Sequence, residues 1–123
     1  MPAYKPEEVH ELFTTFFTVK DLDGMLSLYE PNAVFAPQSG IVSGQAAIRE
    51  ALRNFLALKA QFTLQLDKVL QTDDLALLIS SWTLSGTDPN GNAVELAGKT
   101  SDVVRRQHDG TWLLVIDNPY GTA

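Results

Sequence analysis

The stretch Gly98–Arg106, GKTSDVVRR, decides the fold more than any other part of the chain. In an extended strand successive side chains point to opposite faces, so Asp102 shares one face with Leu96 and Val104, while Lys99 lies on the other face. This alternation predicts a strand with one apolar face. Asp102 is expected to lie on that face, towards the core.

The segments around this stretch predict an antiparallel meander. Strand-forming residues fill four segments: Phe62–Leu70, Leu75–Leu84, Ala93–Gln107 and Thr111–Asn118. Turn-forming residues separate them at positions 73–74 (DD), 88–91 (DPNG) and 108–110 (HDG). Apolar residues occupy both faces of the segment Leu75–Leu84, so a single layer of helices cannot cover that strand. We therefore expect a homodimer that forms through the sheet.

The first half of the chain is predicted to be helical. Apolar residues recur at helical spacing from Pro6 to about Lys20, and Asp21 can cap a short second helix that ends at about Pro31. A short strand, Ala33–Phe35, and an irregular loop precede a third helix over Gln45–Leu58. Three helices followed by a meander predict a single α+β domain over residues 1–123.

Composition excludes several classes of function. Nine Lys and Arg against fifteen Asp and Glu give a net charge of −6, which disfavours binding to nucleic acid. The chain has no cysteine, so it cannot use disulfides, thiolate zinc sites or a cysteine nucleophile. No apolar run approaches the length of a membrane span, and no secretory leader pattern is recognisable. These features predict a cytoplasmic protein with neither membrane nor nucleic-acid partners.

Asp102 is the first candidate for a functional residue. A carboxylate on a core-facing strand is costly unless it is paired, hydrogen-bonded or protonated. It could therefore be the acid of a pocket, or a structural residue that a hydroxyl group or an arginine satisfies. The sequence alone leaves both interpretations open.

The last strand supplies further candidates. Residues of one parity are expected to face inward and to end in polar groups at a pocket: Trp112, Leu114, Ile116, Asn118 and Tyr120. Asp117 has the opposite parity and would point inward only if a bulge shifts the register. The two histidines, His10 and His108, are expected to be solvated, and two distant histidines do not make a metal site.

Two stretches resemble the nuclear transport factor two-like superfamily, which includes ketosteroid isomerases, SnoaL-like polyketide cyclases and scytalone dehydratase. The first runs from AVFAP (33–37) to SGQAAIRE (43–50), and the second from GKTSDVVRR (98–106) to GTW (110–112). The resemblance covers nearly the whole chain. It implies a cone-shaped, cystatin-like roll, in which three N-terminal helices pack in the concavity of a curved antiparallel sheet and enclose an apolar pocket.

The resemblance also assigns roles to single residues. In ketosteroid isomerases an aspartate just before a proline is the general base, and this position is Ala36 here. A tyrosine on helix one donates to the oxyanion, whereas this helix offers only phenylalanines. The second oxyanion donor is an aspartate kept protonated by an apolar site, and it corresponds to Asp102. Relatives with an acid on the final strand point to Asp117 or Asn118.

These considerations predict a pocket protein that acts on a hydrophobic small molecule as an isomerase, cyclase or dehydratase, without cofactor or metal. Asp102 is the expected proton donor or acid/base. The expected ligand-binding residues are Asn118, Tyr120, Trp82, Phe16, Phe35, Ile116 and Asp117. The alternative is a non-catalytic module of the same fold that binds a ligand or dimerises. Because the base and the helix-one tyrosine are missing, we expect no ketosteroid isomerisation.

Overall fold

A computed structural model describes all residues, Met1–Ala123. The three helices are α1 (Glu8–Thr18), α2 (Leu22–Leu26) and α3 (Gln45–Leu56). The seven strands are β1 (Tyr29–Phe35), β2 (Val42–Ser43), β3 (Lys59–Thr72), β4 (Leu75–Thr87), β5 (Ala93–Lys99), β6 (Asp102–Arg106) and β7 (Trp112–Asp117).

All seven strands form one sheet, and the predicted α+β fold class is confirmed. The strand order is β2-β1-β7-β6-β4-β3, with β5 also paired to β4. The meander strands pair antiparallel, but β1 lies parallel to β7, so the sheet is mixed rather than purely antiparallel. A parallel pair needs a long crossover connection, and α3 with the intervening strands provides it.

The segment Ala93–Gln107, predicted as one strand, is two strands in the structure. β5 pairs with the second half of β4 and β6 with the first half. The break falls at Thr100 and Ser101, where the backbone N–H of Thr100 donates to Ser80 O (2.7 Å) and that of Ser101 to Asn118 O (2.9 Å). The break therefore lets β6 pair with β7 on its other side, which brings Asp102 next to the end of β7.

The helices lie on the concave side of the sheet. Asp21 caps α2, because its side chain accepts a hydrogen bond from the N–H of Gly24 (2.9 Å). A Cβ on Gly24 would lie 2.6 Å from the ring of Phe16, so glycine lets α2 pack directly on that ring. Phe16 therefore seats α2 against α1 and does not line the cavity described below, which corrects the expectation that it contacts ligand.

The core lies between these helices and the sheet. The largest fully buried side chains come from all the layers and include Met25, Ile48, Leu78 and Trp112. None of the helices has the length and the apolar run needed to cross a bilayer.

Candidate functional site

A cavity of about 460 Å³ opens between α1, α3 and the sheet. Its volume is typical of small-molecule sites. Aromatic side chains form much of the wall: Phe13, Phe35, Phe55, Phe62, Trp82 and Tyr120. The rings of Phe55 and Phe62 meet edge-on with centroids 5.5 Å apart, as do those of Trp82 and Tyr120 at 5.4 Å. The walls are therefore rigid and apolar.

Trp82 is fixed in this wall from two sides. Its indole N–H donates to the carbonyl oxygen of Pro119 (2.7 Å). Beneath the ring lies Gly98 of β5, where an added Cβ would come within 2.9 Å of the indole. Any side chain at position 98 would push the ring, so this glycine sets how far Trp82 reaches into the cavity.

At the inner end of the cavity, α1 contributes His10 and β6 contributes Asp102. The imidazole Nε2 lies 2.7 Å from Asp102 Oδ2, and Nδ1 lies 2.8 Å from Ser80 Oγ. Both side chains are almost completely buried. Both ring nitrogens of His10 are therefore engaged by buried side chains of the protein itself, Nε2 by Asp102 and Nδ1 by Ser80.

The second oxygen of Asp102 is also occupied. Oδ1 accepts a hydrogen bond from the backbone N–H of Asn118 at 2.7 Å. Asp102 is therefore engaged on both oxygens by groups of the protein itself. This arrangement differs from the free proton donor that the resemblance to ketosteroid isomerases implied.

The carboxyl group with a raised pKa at this end of the cavity is Asp117, on β7. Burial and the neighbouring charge of Asp102 raise the pKa of Asp117 well above its ordinary value. The hydroxyl of Tyr29 donates to Oδ2 of Asp117. This hydrogen bond lowers the pKa of Asp117, but by less than burial raises it. Burial above all, and the neighbouring carboxyl group of Asp117, raise the pKa of Tyr29 well above its ordinary value. Tyr29 therefore stays a donor.

Asp117 reaches the cavity through a β-bulge in β7. Val104 pairs with Leu114 but Val103 pairs with Ile116, so Val115 is an extra residue that shifts the register. After the bulge Asp117 points inward and Ile116 is 39% exposed on the outer face. The expectation that Ile116 lines the cavity is therefore wrong, and the bulge is its physical cause.

The bulge also moves Asn118 out of the cavity wall. Its side-chain amide donates to the carbonyl oxygen of Gly121 (2.9 Å), which closes the turn after β7. The expected ligand contact of this side chain is thus wrong. Asn118 acts instead through its backbone N–H, which holds Asp102.

A SnoaL-like domain model matches residues 9–115. The chain belongs to the SnoaL-like family. No curated protein matches the chain significantly by sequence.

Solved structures share the fold of this SnoaL-like domain at low sequence identity. A ketosteroid isomerase-like protein from Erwinia carotovora atroseptica superposes with a TM-score of 0.80 at 20% identity, covering 90% of this chain and 88% of that one. A candidate dehydratase of the NTF2-like family from Streptomyces avermitilis gives 0.80 at 17% identity, covering 95% and 94%. A candidate calcium/calmodulin-dependent protein kinase type II association domain from Thiobacillus denitrificans gives 0.77 at 19%, covering 100% and 98%. The resemblance to the nuclear transport factor two-like superfamily is thereby confirmed.

Of the residues expected at the site of this SnoaL-like domain, Asp102, Asp117, Trp82, Tyr120 and Phe35 line the cavity. Sequence reasoning missed His10, which is 5% exposed rather than solvated. A signal was present, because His10, Phe13 and Phe17 are spaced i, i+3, i+7 and share one face of α1. His108 is exposed in its hairpin turn.

The three hydrogen-bonded side chains of Ser80, His10 and Asp102 do not form a serine-hydrolase triad. Ser80 is completely buried and does not line the cavity, so its hydroxyl cannot reach a bound molecule. Its role is to orient the imidazole ring. No group of three metal-ligating side chains is present in the structure.

Proposed function

We propose that this SnoaL-like domain catalyses proton transfer on a hydrophobic small molecule, as an isomerase, cyclase or dehydratase does. One observation carries the proposal: two buried carboxyl groups with different hydrogen-bond partners meet at the inner end of an apolar cavity. Two titratable groups whose environments drive their pKa values apart are the usual arrangement of a general base and a general acid.

In this proposal Asp102 is the general base and Asp117 the general acid. Asp102 takes a proton from the ligand, and the Nε2–H of His10 keeps the carboxylate oriented. Asp117 gives a proton to the ligand as charge develops. Asp102 and Asp117 are neighbours at the inner end of the cavity, so the proton can return from Asp102 to Asp117 after each turnover. Trp82, Tyr120 and Phe35 hold the ligand.

The experiment begins with the molecule that copurifies with the protein, identified by mass spectrometry after denaturation. That molecule is then incubated with the natural protein in deuterated water. Exchange of its acidic C–H positions is expected, and Asp102→Asn should slow it by about a hundredfold or more. Asp23→Asn, at an exposed carboxylate paired only with Arg49, is the control and should not slow it. A bound molecule that shows no exchange with the natural protein would contradict the proposal.

A second candidate function is a non-catalytic binding module. Ala36 occupies the position of the isomerase base, and both nitrogens of His10 are already engaged within the protein. The same deuterium experiment separates the two candidates, because a binding module would hold the molecule without exchange. In either case no isomerisation of a β,γ-unsaturated ketosteroid is expected.

We also propose that the domain dimerises through the outer face of the sheet. A row of apolar side chains crosses four paired strands on that face: Leu70, Leu77, Val103 and Ile116. Leu70 is 53% exposed, and a row of this kind is typical of a protein interface. Sedimentation should give about twice the 13.5 kDa chain mass, and Leu70→Glu should give monomers. A monomeric natural protein at micromolar concentration would contradict this proposal.

We also propose a cytoplasmic location, which cell fractionation tests.

A further inference from the structure

A second cavity, of about 300 Å³, lies where the C-terminal ends of α1 and α3 meet strand β3. It shares only Phe62 with the larger cavity described above. Phe17 lines the second cavity and Phe55 the larger one, and the centroids of their rings lie 4.7 Å apart. The ring of Phe62 packs on both, with each centroid 5.5 Å away. These three packed rings therefore separate the two cavities, and the second is a site of its own.

The lining of the second cavity carries a single charge. Lys20 supplies it, and no Asp or Glu lines this cavity, whereas three carboxyl side chains and no lysine or arginine line the larger one. The ammonium group of Lys20 forms no ion pair within the chain. The other lining side chains are apolar or uncharged, and Leu56, Leu58 and Ala60 supply the aliphatic surface. The second cavity therefore combines apolar walls with one unpaired cation.

Lys20 occupies a backbone position at which glycine is usual. Its φ of 58° is left-handed. Its N–H donates to Phe17 O (3.0 Å) and the N–H of Asp21 donates to Phe16 O (2.8 Å), which is the Schellman arrangement at the end of α1. Glycine is favoured there because a Cβ crowds the left-handed backbone. The helix end alone therefore does not account for a lysine at this position.

A structural reason for Lys20 would be a contact between its ammonium group and the end of a helix. A lysine near a helix C-terminus can donate to the last carbonyl groups. Here the side chain of Lys20 donates to no carbonyl oxygen, and the carbonyl groups of Thr15, Phe16 and Phe17 accept backbone N–H donors instead. The charge of Lys20 is left for a group from outside the chain.

We propose that the second cavity binds a small monocarboxylate with an apolar body, whose carboxylate pairs with the ammonium group of Lys20. Gln61 lines the same cavity, and its amide has no partner within the chain, so it can donate to the second carboxylate oxygen. Phe17 and Leu56 face the apolar body. The partial negative charge at the ends of α1 and α3 disfavours a second anionic charge, so a dianion such as a phosphate monoester fits less well. This proposal does not depend on the chemistry of the larger cavity.

Three probes with one skeleton test the proposal: hexanoate, hexan-1-ol and hexylammonium. Dissociation constants are measured by NMR titration of the natural protein at neutral pH, from the backbone amide signals of Ala60 and Thr63, which line only the second cavity. The carboxylate should bind about fivefold more tightly than the alcohol, as expected of one partly exposed ion pair, and the ammonium should bind most weakly. Equal binding of the three probes at these signals, or shifts confined to the larger cavity, would overturn the proposal.

Lys20→Gln is the matched variant, because it removes the charge and keeps a polar side chain. It should lower the affinity for hexanoate about fivefold and leave that for hexan-1-ol within about twofold. Lys5→Gln, at an exposed lysine that lines neither cavity, is the control and should change neither affinity.

Lys20→Gly separates a role in ligand binding from a role in folding. It should lower the affinity for hexanoate and raise the midpoint of urea denaturation, because glycine relieves the left-handed position. A lower midpoint would show that the side chain of Lys20 stabilises the helix end, and it would overturn the assignment of its charge to a ligand.

Discussion

Strands β6 and β7 each deliver an aspartate to the same cavity, but by different means. On β6, Asp102 points inward through plain alternation, in phase with Val104. On β7, alternation from Leu114 would have turned Asp117 outward, and the extra residue Val115 reverses it. Period-two patterning therefore identifies an inward residue only as far as the next bulge.

The two carboxyls also differ in their hydrogen-bond partners, although both are buried. Asp102 is 2% exposed and Asp117 is 7% exposed, so depth does not separate them. Asp102 accepts the backbone N–H of Asn118 and pairs with His10, and both contacts favour the carboxylate. Burial, with the neighbouring Asp102, raises the pKa of Asp117, and its hydrogen bond from Tyr29 only partly opposes this rise. The two aspartates are buried alike, so it is their hydrogen-bond partners that differ.

The largest expected effect tests the bulge. Leu114 is 1% exposed and Ile116 is 39% exposed, although regular alternation would give both the same environment. Leu114→Ala should lower the free energy of unfolding by about 3 to 4 kcal/mol, and Ile116→Ala by less than about 1 kcal/mol. Urea denaturation at one fixed protein concentration measures both, because Ile116 lies on the proposed dimer face. Equal losses would contradict the register described here.

The next effect tests the charge difference. Asp102→Asn removes one acceptor oxygen and the charge, so it should lower the free energy of unfolding by about 2 to 3 kcal/mol. Asp117→Asn keeps the shape of a carboxyl group whose raised pKa favours its uncharged form, and it should cost about 1 kcal/mol or less. Urea denaturation of the two variants gives the comparison. A larger loss from Asp117→Asn than from Asp102→Asn would contradict this prediction.

The third prediction concerns pH. The pKa of Asp117 is raised in the folded state, so the folded protein binds this proton more tightly than the unfolded chain does. The stability that this proton contributes is complete below the unfolded value of about 3.9 and is lost as the pH rises through the folded-state pKa. Relative to Asp117→Asn, the natural protein should lose up to about 1.4 kcal/mol per pH unit within that window. Parallel pH profiles of the two proteins would contradict the raised pKa.

The smallest effect comes from Tyr29, whose hydrogen bond lowers the pKa of Asp117 against the larger effect of burial. Tyr29→Phe should raise that pKa further and extend the loss of stability to higher pH. The free energy of unfolding at low pH should fall by only about 1 kcal/mol, because one hydrogen bond is lost. Denaturation across the pH range measures both changes. A shift of the profile to lower pH would show that the Tyr29 contact stabilises the neutral acid instead.

The sequence predicts the place of a site residue only where that place depends on neighbours along the chain. Asp102 could be placed inward from its neighbours on one strand. The roles of His10 and Asn118 could not, because their contacts with Asp102 join residues 92 and 16 positions apart. Phe16 was expected in the cavity, but the close approach of Gly24 places its ring against α2.

The sequence by itself determined the α+β class, the three helices, the meander and the inward face of β6. These depend on periodicity and turn-forming residues, which act over a few positions. Only the tertiary structure decided the parallel pairing of β1 with β7, the bulge at Val115 and the raised pKa of Asp117. Each of these depends on which distant groups meet when the sheet closes around the helices, since a bulge or a pKa is set by neighbours in space rather than along the chain.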